Sequence, residues 1–305
     1  MNAYFGILYY FAPFTDRFHF SNVNFMNAYR FPCLGALIGD VVGSIYEFDN
    51  IKTKEFPLFS RKSNYTDDSI MTIAVASWLT ETNRSQSALE DKLVDYAMRT
   101  PCPMGGFGEE FRKWLFCPER LQNFDGNTYE DGQRHPYNSC GNESAMRVSA
   151  CGWVAKSIDE ALDLAKRSAE ITHNHPEGIK GAQAVAAAIF MARNAESKED
   201  IRTYLEKTFG YDLHHTCDEI RPNYDWDSTC QGTIPPAFMA FFDANNFEEA
   251  IRLAVSLGGD SDTIACITGS IAQPYYTDIS DEIIRQMQVI LPQDFWTIIN
   301  KIYYC

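Results

Sequence analysis

Two segments of the sequence place threonine and aspartate directly before an apolar stretch. The first is Tyr65-Thr66-Asp67-Asp68-Ser69, and the second is Gly258-Gly259-Asp260-Ser261-Asp262-Thr263. Threonine and aspartate are favoured at helix starts because their side-chain oxygens accept free backbone N–H groups. Either segment alone therefore predicts a capped helix and nothing more.

Taken together, the two acidic segments indicate a metal site. Aspartate and threonine oxygens are hard ligands, which suit Mg²⁺, Mn²⁺ or Ca²⁺ better than Zn²⁺. Four carboxylates that converged without a cation would repel one another strongly. A pair of divalent cations removes that repulsion and can polarise substrate oxygens. Gly258 and Gly259 allow the backbone to turn sharply and to approach a ligand closely.

Two further polar segments could bind a ligand. Small residues in Ser139-Cys140-Gly141-Asn142-Glu143-Ser144 precede a helix, and free N–H groups at a helix start favour anions such as phosphate. An ordinary capped loop is the alternative. In Ile171-Thr172-His173-Asn174-His175, the absence of a cysteine cluster disfavours zinc, so a hydrogen-bonding role is expected for His173. A structural histidine at a helix end is the alternative.

Asp40 and Glu47 are the charged residues of an otherwise apolar segment that begins at Leu34. A charged side chain in such a segment is seldom buried without a partner or a role. Both residues could instead be exposed. Gly35, Gly39 and Gly43 have the spacing of a close helix–helix contact.

The elements that must position these residues are predicted to be helices, since alternation of period two is scarce. The predicted helices span residues 34–48, 69–80, 89–99, 144–156, 158–172, 178–193, 247–257, 263–272, 281–290 and 294–302. Residues 100–141 and 210–236 are predicted to be irregular, and long irregular stretches in compact domains are usually functional or disordered. The tetrapeptide Met-Asn-Ala-Tyr occurs at Met1 and again at Met26. We therefore divide the chain into an N-terminal appendage, residues 1–25, and one all-α domain, residues 26–305.

The composition restricts the class of protein. The chain has 305 residues and a formal net charge of -15, which disfavours nucleic-acid binding because duplex affinity depends on Lys and Arg. Its 9 cysteines form no C-x-x-C pair and are expected to be free thiols in a reducing compartment. No apolar run is long enough to span a membrane, and no basic residue precedes the aromatic N-terminal stretch. A cytoplasmic protein without a membrane partner is expected.

Five separated motifs resemble the ADP-ribosylglycohydrolase family, over about residues 34–276. They are Gly-Asp-Val-Val-Gly-Ser-Ile-Tyr-Glu, Tyr-Thr-Asp-Asp-Ser, Gly-Asn-Glu-Ser-Ala-Met-Arg-Val, Ile-Thr-His and Gly-Gly-Asp-Ser-Asp-Thr. The resemblance implies an all-α fold, a compact single-domain orthogonal helical bundle with two divalent cations, Mg²⁺ or Mn²⁺, in a cleft. The metal ligands that it implies are Thr66, Asp67, Asp68, Asp260, Asp262 and Thr263.

The resemblance also implies roles for other positions. Glu47 corresponds to a glutamate on the loop that closes over the metals, and His173 corresponds to a histidine that contacts ADP-ribose. The diphosphate-binding loop of the family corresponds to Asn138, Ser139, Cys140, Gly141 and Asn142. Two positions depart from the family pattern: Cys140 stands where an aromatic residue can lie beside the adenosine, and Glu143 replaces a glycine. Cleavage at C1 of the ribose passes through an oxocarbenium-like transition state that a carboxylate can assist. Glu47 is the candidate for that carboxylate, with Asp67, Asp68 or Asp260 as alternatives.

The expected function is removal of mono-ADP-ribose from arginine on a modified protein or peptide, with ADP-ribose as product. The net charge disfavours polyanionic substrates such as chains of poly(ADP-ribose). An acidic stretch in residues 100–141 could face the guanidinium of arginine; its acidic residues are Glu109, Glu110, Asp125, Glu130 and Asp131. Hydrolysis of serine-linked or other O-linked ADP-ribose and a two-metal nucleotide phosphoesterase are the alternatives.

Overall fold

The computed structural model describes residues 31–120 and 133–305. Within these residues the chain forms fifteen α-helices and a 3₁₀ turn at Pro118–Arg120. The helices are α1 (Leu34–Gly43), α2 (Asp67–Leu79), α3 (Gln86–Arg99), α4 (Glu109–Phe116), α5 (Glu143–Met146), α6 (Ser149–Val154), α7 (Ile158–Glu170), α8 (Pro176–Arg193), α9 (Lys198–Phe209), α10 (Cys217–Ile220), α11 (Cys230–Asp243), α12 (Phe247–Ser256), α13 (Ser261–Tyr276), α14 (Asp281–Ile290) and α15 (Gln293–Ile302). In the described residues, extended pairing is limited to two isolated bridges, so the predicted all-α class is confirmed.

Helices α1 and α13 cross antiparallel at the centre of the bundle, and every residue of α1 is buried. Glycines on α1 permit the contact, because a Cβ at Gly35 would lie 2.2 Å from Gly269 O and one at Gly39 would lie 1.9 Å from Ala265 O. Such distances are far below van der Waals contact, so an alanine at either position would force the helices apart. This packing brings the C-terminal end of α1 against the first turn of α13.

One continuous apolar core surrounds this pair of helices. It includes the large side chains of Trp78 on α2, Phe111 and Trp114 on α4 and Phe238 on α11, which are almost fully buried. Because helices of several directions contribute to the same core, the acidic helix starts are held by packing on all sides and not by local propensity alone.

Several helix predictions are wrong in detail. The predicted helix 34–48 ends at Gly43 and is followed by a turn at residues 44–46, where Asn50 donates to the carbonyls of Tyr46 and Glu47. The predicted helix 144–156 is two short helices, α5 and α6, separated by a turn at residues 147–148. Helices α4, α9, α10 and α11 were not predicted. α11 contains Pro235 and Pro236 in its interior, where burial of its apolar residues outweighs the two lost backbone hydrogen bonds.

The predicted division at residue 25 lies outside the described residues and stays a prediction. All 9 cysteines lie in the described parts of the chain, and none of them is in a disulfide. Across residues 31–120 and 133–305, no helix has the length and apolarity needed to cross a membrane.

Candidate active site

The first acidic segment forms the start of α2, as its sequence predicts. Thr66 is the N-cap in an extended conformation, and its side-chain oxygen accepts a hydrogen bond of 3.2 Å from the N–H of Asp68. Asp67 and Asp68 occupy the first turn, where the partial positive charge of the helix start favours carboxylates. All three residues are buried, with exposures of 0%, 8% and 2%.

The second acidic segment forms the start of α13. Gly258 and Gly259 both have positive φ, 71° and 68°, a conformation that favours glycine. Asn50 fixes this turn, since its side chain accepts from Gly259 N at 2.7 Å and donates to Gly259 O at 2.9 Å. The turn directs the carboxylate of Asp260, the N-cap of α13, and that of Asp262 in its first turn, toward the start of α2.

Direct contacts join the two helix starts. The hydroxyl of Thr263 donates to Asp68 Oδ2 at 3.3 Å, although the two residues are 195 positions apart. Asp260 accepts a hydrogen bond of 2.7 Å from the amide of Asn142, which lies next to α5. The structure thus brings together all six residues that the sequence resemblance marks as metal ligands.

Asp40 on α1 stabilises the start of α2 through hydrogen bonds, a role that sequence reasoning did not assign. It is fully buried on α1 and accepts hydrogen bonds from the backbone N–H and the hydroxyl of both Thr66 and Ser69. Burial raises the pKa of Asp40 to about 6, and these four hydrogen bonds oppose the rise. The Thr66 hydroxyl donates to Asp40 Oδ1 at 2.8 Å and accepts from the N–H of Asp68, so one lone pair of its oxygen is left for a ligand.

Glu47 reaches the site from the turn after α1. One carboxylate oxygen of Glu47, one of Asp260 and one of Asp262 lie within 4.8 Å of one another. Burial, followed by the negative charge of Asp260, raises the pKa of Glu47 to about 7. Gly105 packs against this carboxylate so closely that a Cβ there would lie 2.6 Å from Glu47 Oε2.

The electrostatics of the site fit cations. Burial and the neighbouring carboxylates raise the pKa values of Asp67, Asp68 and Asp262 well above the usual range of an aspartate. Two buried carboxylate oxygens, Asp68 Oδ1 and Glu47 Oε2, have no hydrogen-bond partner. Buried charges are normally paired or bound to metal, so hard oxygen atoms without donors are what a divalent cation site requires.

The loop at residues 138–142 lies beside the acidic site. Asn138 has positive φ, 60°, and its N–H donates to the side chain of Asn174 at 2.7 Å. Cys140 and Gly141 pair with the start of α11, where Cys230 N donates to Cys140 O at 2.9 Å. Asn142 lines the cleft, whereas the other four residues of the loop lie behind its lining.

Glu143, the residue that departs from the family pattern, also lines the cleft. It accepts a hydrogen bond of 2.8 Å from His173 Nε2. The side chain of His173 is fully buried, so it reaches the cleft through Glu143 and not directly. Burial lowers the pKa of His173, which favours the neutral imidazole. The tautomer that donates to Glu143 is the one with its proton on Nε2.

The polar chain continues behind His173. The Thr172 hydroxyl lies 2.7 Å from His173 Nδ1, and the fully buried Arg147 donates to Thr172 Oγ1 at 2.8 Å. Every link can donate toward Glu143, and aligned hydrogen bonds polarise one another. Burial alone would raise the pKa of Glu143, but the hydrogen bond from His173, a backbone hydrogen bond and the positive charge of Arg147 lower it. The chain therefore holds an ionised carboxylate at the cleft wall.

The cleft itself has a volume of about 250 Å³. Six carboxyl groups line it, and none of its described lining residues is Lys, Arg or His. The acidic residues are Glu47, Asp67, Asp68, Glu143, Asp260 and Asp262. Glu109 and Glu110, which were expected to face a guanidinium, instead pair with Lys113 on α4 and are not part of this lining. Asp125, Glu130 and Asp131 lie outside the described residues.

Comparisons with known proteins find ADP-ribosylhydrolases among the relatives of this chain. The chain is 26% identical to "ADP-ribosylhydrolase ARH3" of Homo sapiens, over 80% of this chain and 84% of that protein. It is 22% identical to "ADP-ribosylarginine hydrolase Tri1" of Pseudomonas putida, over 80% of this chain and 69% of that protein. A solved structure described as an "ADP-ribosylglycohydrolase-related protein complex" shares the fold, with a TM-score of 0.68, 22% identity and coverage of 92% of this chain and 99% of that one.

The family comparison covers most of the chain. The model of the ADP-ribosylglycohydrolase family matches residues 25–299, a range that includes both acidic segments, the loop at residues 138–142 and His173. The chain therefore belongs to the ADP-ribosylglycohydrolase family of hydrolases.

Proposed function

We propose that this protein is a binuclear-metal hydrolase that removes mono-ADP-ribose from arginine side chains of a modified protein or peptide. The observation that carries the proposal is the convergence of Thr66, Asp67 and Asp68 on α2 with Asp260, Asp262 and Thr263 on α13. These six residues would hold two divalent cations, Mg²⁺ or Mn²⁺. When bound, the cations supply charge compensation for the carboxylates and Lewis-acid polarisation of the ribose oxygens.

The protein's own groups then divide the remaining tasks. Asp40 orients the Thr66 hydroxyl, and Asn142 orients Asp260. Glu47 is the candidate for moving a proton, because its Oε2 is buried without a hydrogen-bond partner at the cleft. A protonated Glu47 would donate its proton to the leaving nitrogen as the bond to C1 of the ribose breaks. An ionised Glu47 would instead accept a proton from the water that attacks C1.

The ADP-ribose half is assigned to the loop at residues 138–142 and to His173. Direct contact is available from Asn142, which lines the cleft. Asn138, Ser139, Cys140 and Gly141 contribute through the backbone of the loop behind it, and His173 contributes through its hydrogen bond to Glu143.

The free thiols of the chain suit a reducing compartment, and we place the reaction in the cytoplasm.

Arginine is favoured as the acceptor for two reasons. A cleft with six carboxyl groups and no basic residue in its described lining attracts a cationic leaving group. A relative with similarity over 80% of this chain is itself described as an ADP-ribosylarginine hydrolase.

The test incubates the protein with arginine-linked and serine-linked ADP-ribosyl peptides at equal concentration, and measures free ADP-ribose and free phosphate. We expect ADP-ribose from the arginine-linked peptide, loss of release after chelation and recovery with Mg²⁺ or Mn²⁺. Asp262→Asn should lower turnover by at least ~100-fold, since even outer-shell partners of metal ligands are worth ~10–100-fold. The exposed Asp91 on α3 offers a matched control, and Asp91→Asn should leave turnover unchanged. Full activity after exhaustive chelation would refute the metal requirement, faster release from serine would refute the acceptor, and release of phosphate would indicate a phosphoesterase.

A further inference from the structure

Two exposed aromatic side chains stand at the mouth of the acidic cleft. Phe48 is 76% exposed and Trp226 is 46% exposed, although apolar rings of this size are usually buried. Their rings stack on each other, with centroids 5.7 Å apart and planes at 16°. Both residues line the cleft, so the pair is part of the wall that a substrate must pass.

The two rings lie in the part of the cleft that carries the carboxylates of Glu47, Asp260 and Asp262. Phe48 directly follows Glu47, whose carboxylate is grouped with those of Asp260 and Asp262. Trp226 lies in the loop between α10 and α11, two residues before Ser228, which also lines the cleft. The stack therefore joins the turn that carries Glu47 to the opposite loop, beside the carboxylates and not behind them.

The charge around the pair is negative. Asp49 follows Phe48 and Asp225 precedes Trp226, and both aspartates are exposed. A nearby cation, Lys52, donates to the carbonyls of Tyr224 and Leu257 and offsets part of the charge of Asp225. One ammonium against two carboxylates leaves this rim of the cleft net negative. The faces of aromatic rings attract cations, and guanidinium groups stack on them better than ammonium groups do.

We propose that Phe48 and Trp226 form the acceptor subsite and bind the guanidinium of the ADP-ribosylated arginine by stacking. The inference rests on the proposed hydrolase function and assigns the leaving-group side of the same site. It predicts that the two rings determine specificity for arginine without contributing to recognition of ADP-ribose itself. An uncharged acceptor such as serine has no group that would stack on these rings.

The kinetic test compares Phe48→Ala, Trp226→Ala and Trp226→Phe with the wild type on arginine-linked and serine-linked ADP-ribosyl peptides. Each alanine variant should lower kcat/KM for the arginine substrate by about 5- to 30-fold, mainly through KM, the range of a desolvated cation–π contact. Trp226→Phe keeps an aromatic face and should recover most of the loss. Tyr304, which is 84% exposed and does not line the cleft, provides the control variant Tyr304→Ala with unchanged kinetics.

The affinity for free ADP-ribose separates the acceptor subsite from an adenine subsite. Under the proposal, Phe48→Ala and Trp226→Ala bind ADP-ribose as tightly as the wild type does. Weaker ADP-ribose binding in these variants, or equal loss on both peptide substrates, would overturn the proposal and assign the rings to the ADP-ribose half. Unchanged kinetics on the arginine substrate would overturn it as well.

A binding measurement keeps the inference testable if the wild type releases no ADP-ribose from arginine. N-acetylarginine amide is titrated into the wild type and into Trp226→Phe, and the difference in tryptophan fluorescence isolates Trp226. Quenching by N-acetylarginine amide, but not by the isosteric and uncharged N-acetylcitrulline amide, supports the stacking site even when the proposed reaction fails. Equal responses to both amides, or none to either, would refute it.

Discussion

The hydrogen bond from Thr66 to Asp40 offers a sharp test of how the metal site is built. In the wild type the Thr66 hydroxyl donates to Asp40 Oδ1 at 2.8 Å, and one lone pair of its oxygen accepts the N–H of Asp68, so the other lone pair is left for a cation. Asp40→Asn is nearly isosteric and can still accept from the N–H groups of Thr66 and Ser69. Its amide NH₂, however, faces Thr66 Oγ1 and donates to it, so it occupies a lone pair that a cation needs.

The expected effect of Asp40→Asn is a loss of cation affinity without loss of the fold. Outer-shell partners of metal ligands are typically worth 10–100-fold in metal affinity, or about 1.4–2.8 kcal/mol. The weaker hydrogen bonds to a neutral acceptor are offset by removal of one negative charge from a crowded cluster. The free energy of unfolding of the metal-free protein should therefore change by only about 1 kcal/mol.

Titration calorimetry with Mn²⁺, together with thermal unfolding followed by circular dichroism, measures both quantities. Ser69→Ala is the matched control, because Ser69 also donates to Asp40 but does not share the Thr66 hydrogen bond. Its Mn²⁺ affinity should stay within about 3-fold of wild type. Unchanged Mn²⁺ affinity in Asp40→Asn, or an equal loss in Ser69→Ala, would show that Asp40 does not act through the Thr66 hydroxyl.

Three further predictions test neighbouring groups. The folded-state pKa of Glu47 is raised to about 7, above its unfolded-state value of ~4.3. The protonated group therefore stabilises the metal-free protein below the unfolded-state pKa, and this stability is lost as pH rises through 7. The melting temperature of the wild type should therefore fall more than that of Glu47→Gln between pH 4 and pH 7, and parallel curves would contradict this. Glu143→Gln keeps the hydrogen bond from His173 but removes a charge from the cleft wall. Calorimetry should show ADP-ribose binding ~5-fold tighter, since repulsion between a unit charge and the diphosphate costs on the order of 1 kcal/mol even at ~15 Å; weaker binding would mean that the charge of Glu143 itself makes a favourable contact with the ligand. Gly105→Ala should lower kcat more than Gly106→Ala, because both glycines have positive φ but only a Cβ at Gly105 meets Glu47, and equal effects would indicate backbone strain alone.

The acidic helix starts were predictable because their signal is local. Thr66 is an N-cap whose own side chain bonds the N–H of Asp68, and the glycines before Asp260 mark a turn that few other residues adopt. Their meeting in space was expected only from the repulsion of four carboxylates and from the family resemblance. The structure then shows the link as a contact between Thr263 and Asp68.

The supporting groups were not predictable because their partners are distant in sequence. Asp40 looked like an exposed residue as readily as a buried one, and the hydrogen bonds to Thr66 and Ser69 that define its role cross 26 and 29 positions. The helix α11 was missed because Pro235 and Pro236 signal an irregular segment, whereas the helix forms through burial. Local patterns cannot report such long-range compensation.

The fold concentrates negative charge at one place and offsets only part of it. The starts of α2 and α13 contribute partial positive charge, worth about 0.3–1 kcal/mol for each carboxylate, and Asn142 and Thr263 donate one hydrogen bond each. The raised pKa values of Asp67, Asp68 and Asp262 show that these contributions do not balance burial and repulsion. The remaining compensation must come from protons or from cations. Glycine contacts hold α1 against α13, and Asp40 on α1 hydrogen-bonds the start of α2, so the carboxylates of α2 and α13 are held together. A rigid cluster of this kind favours cations over a rearranged protein.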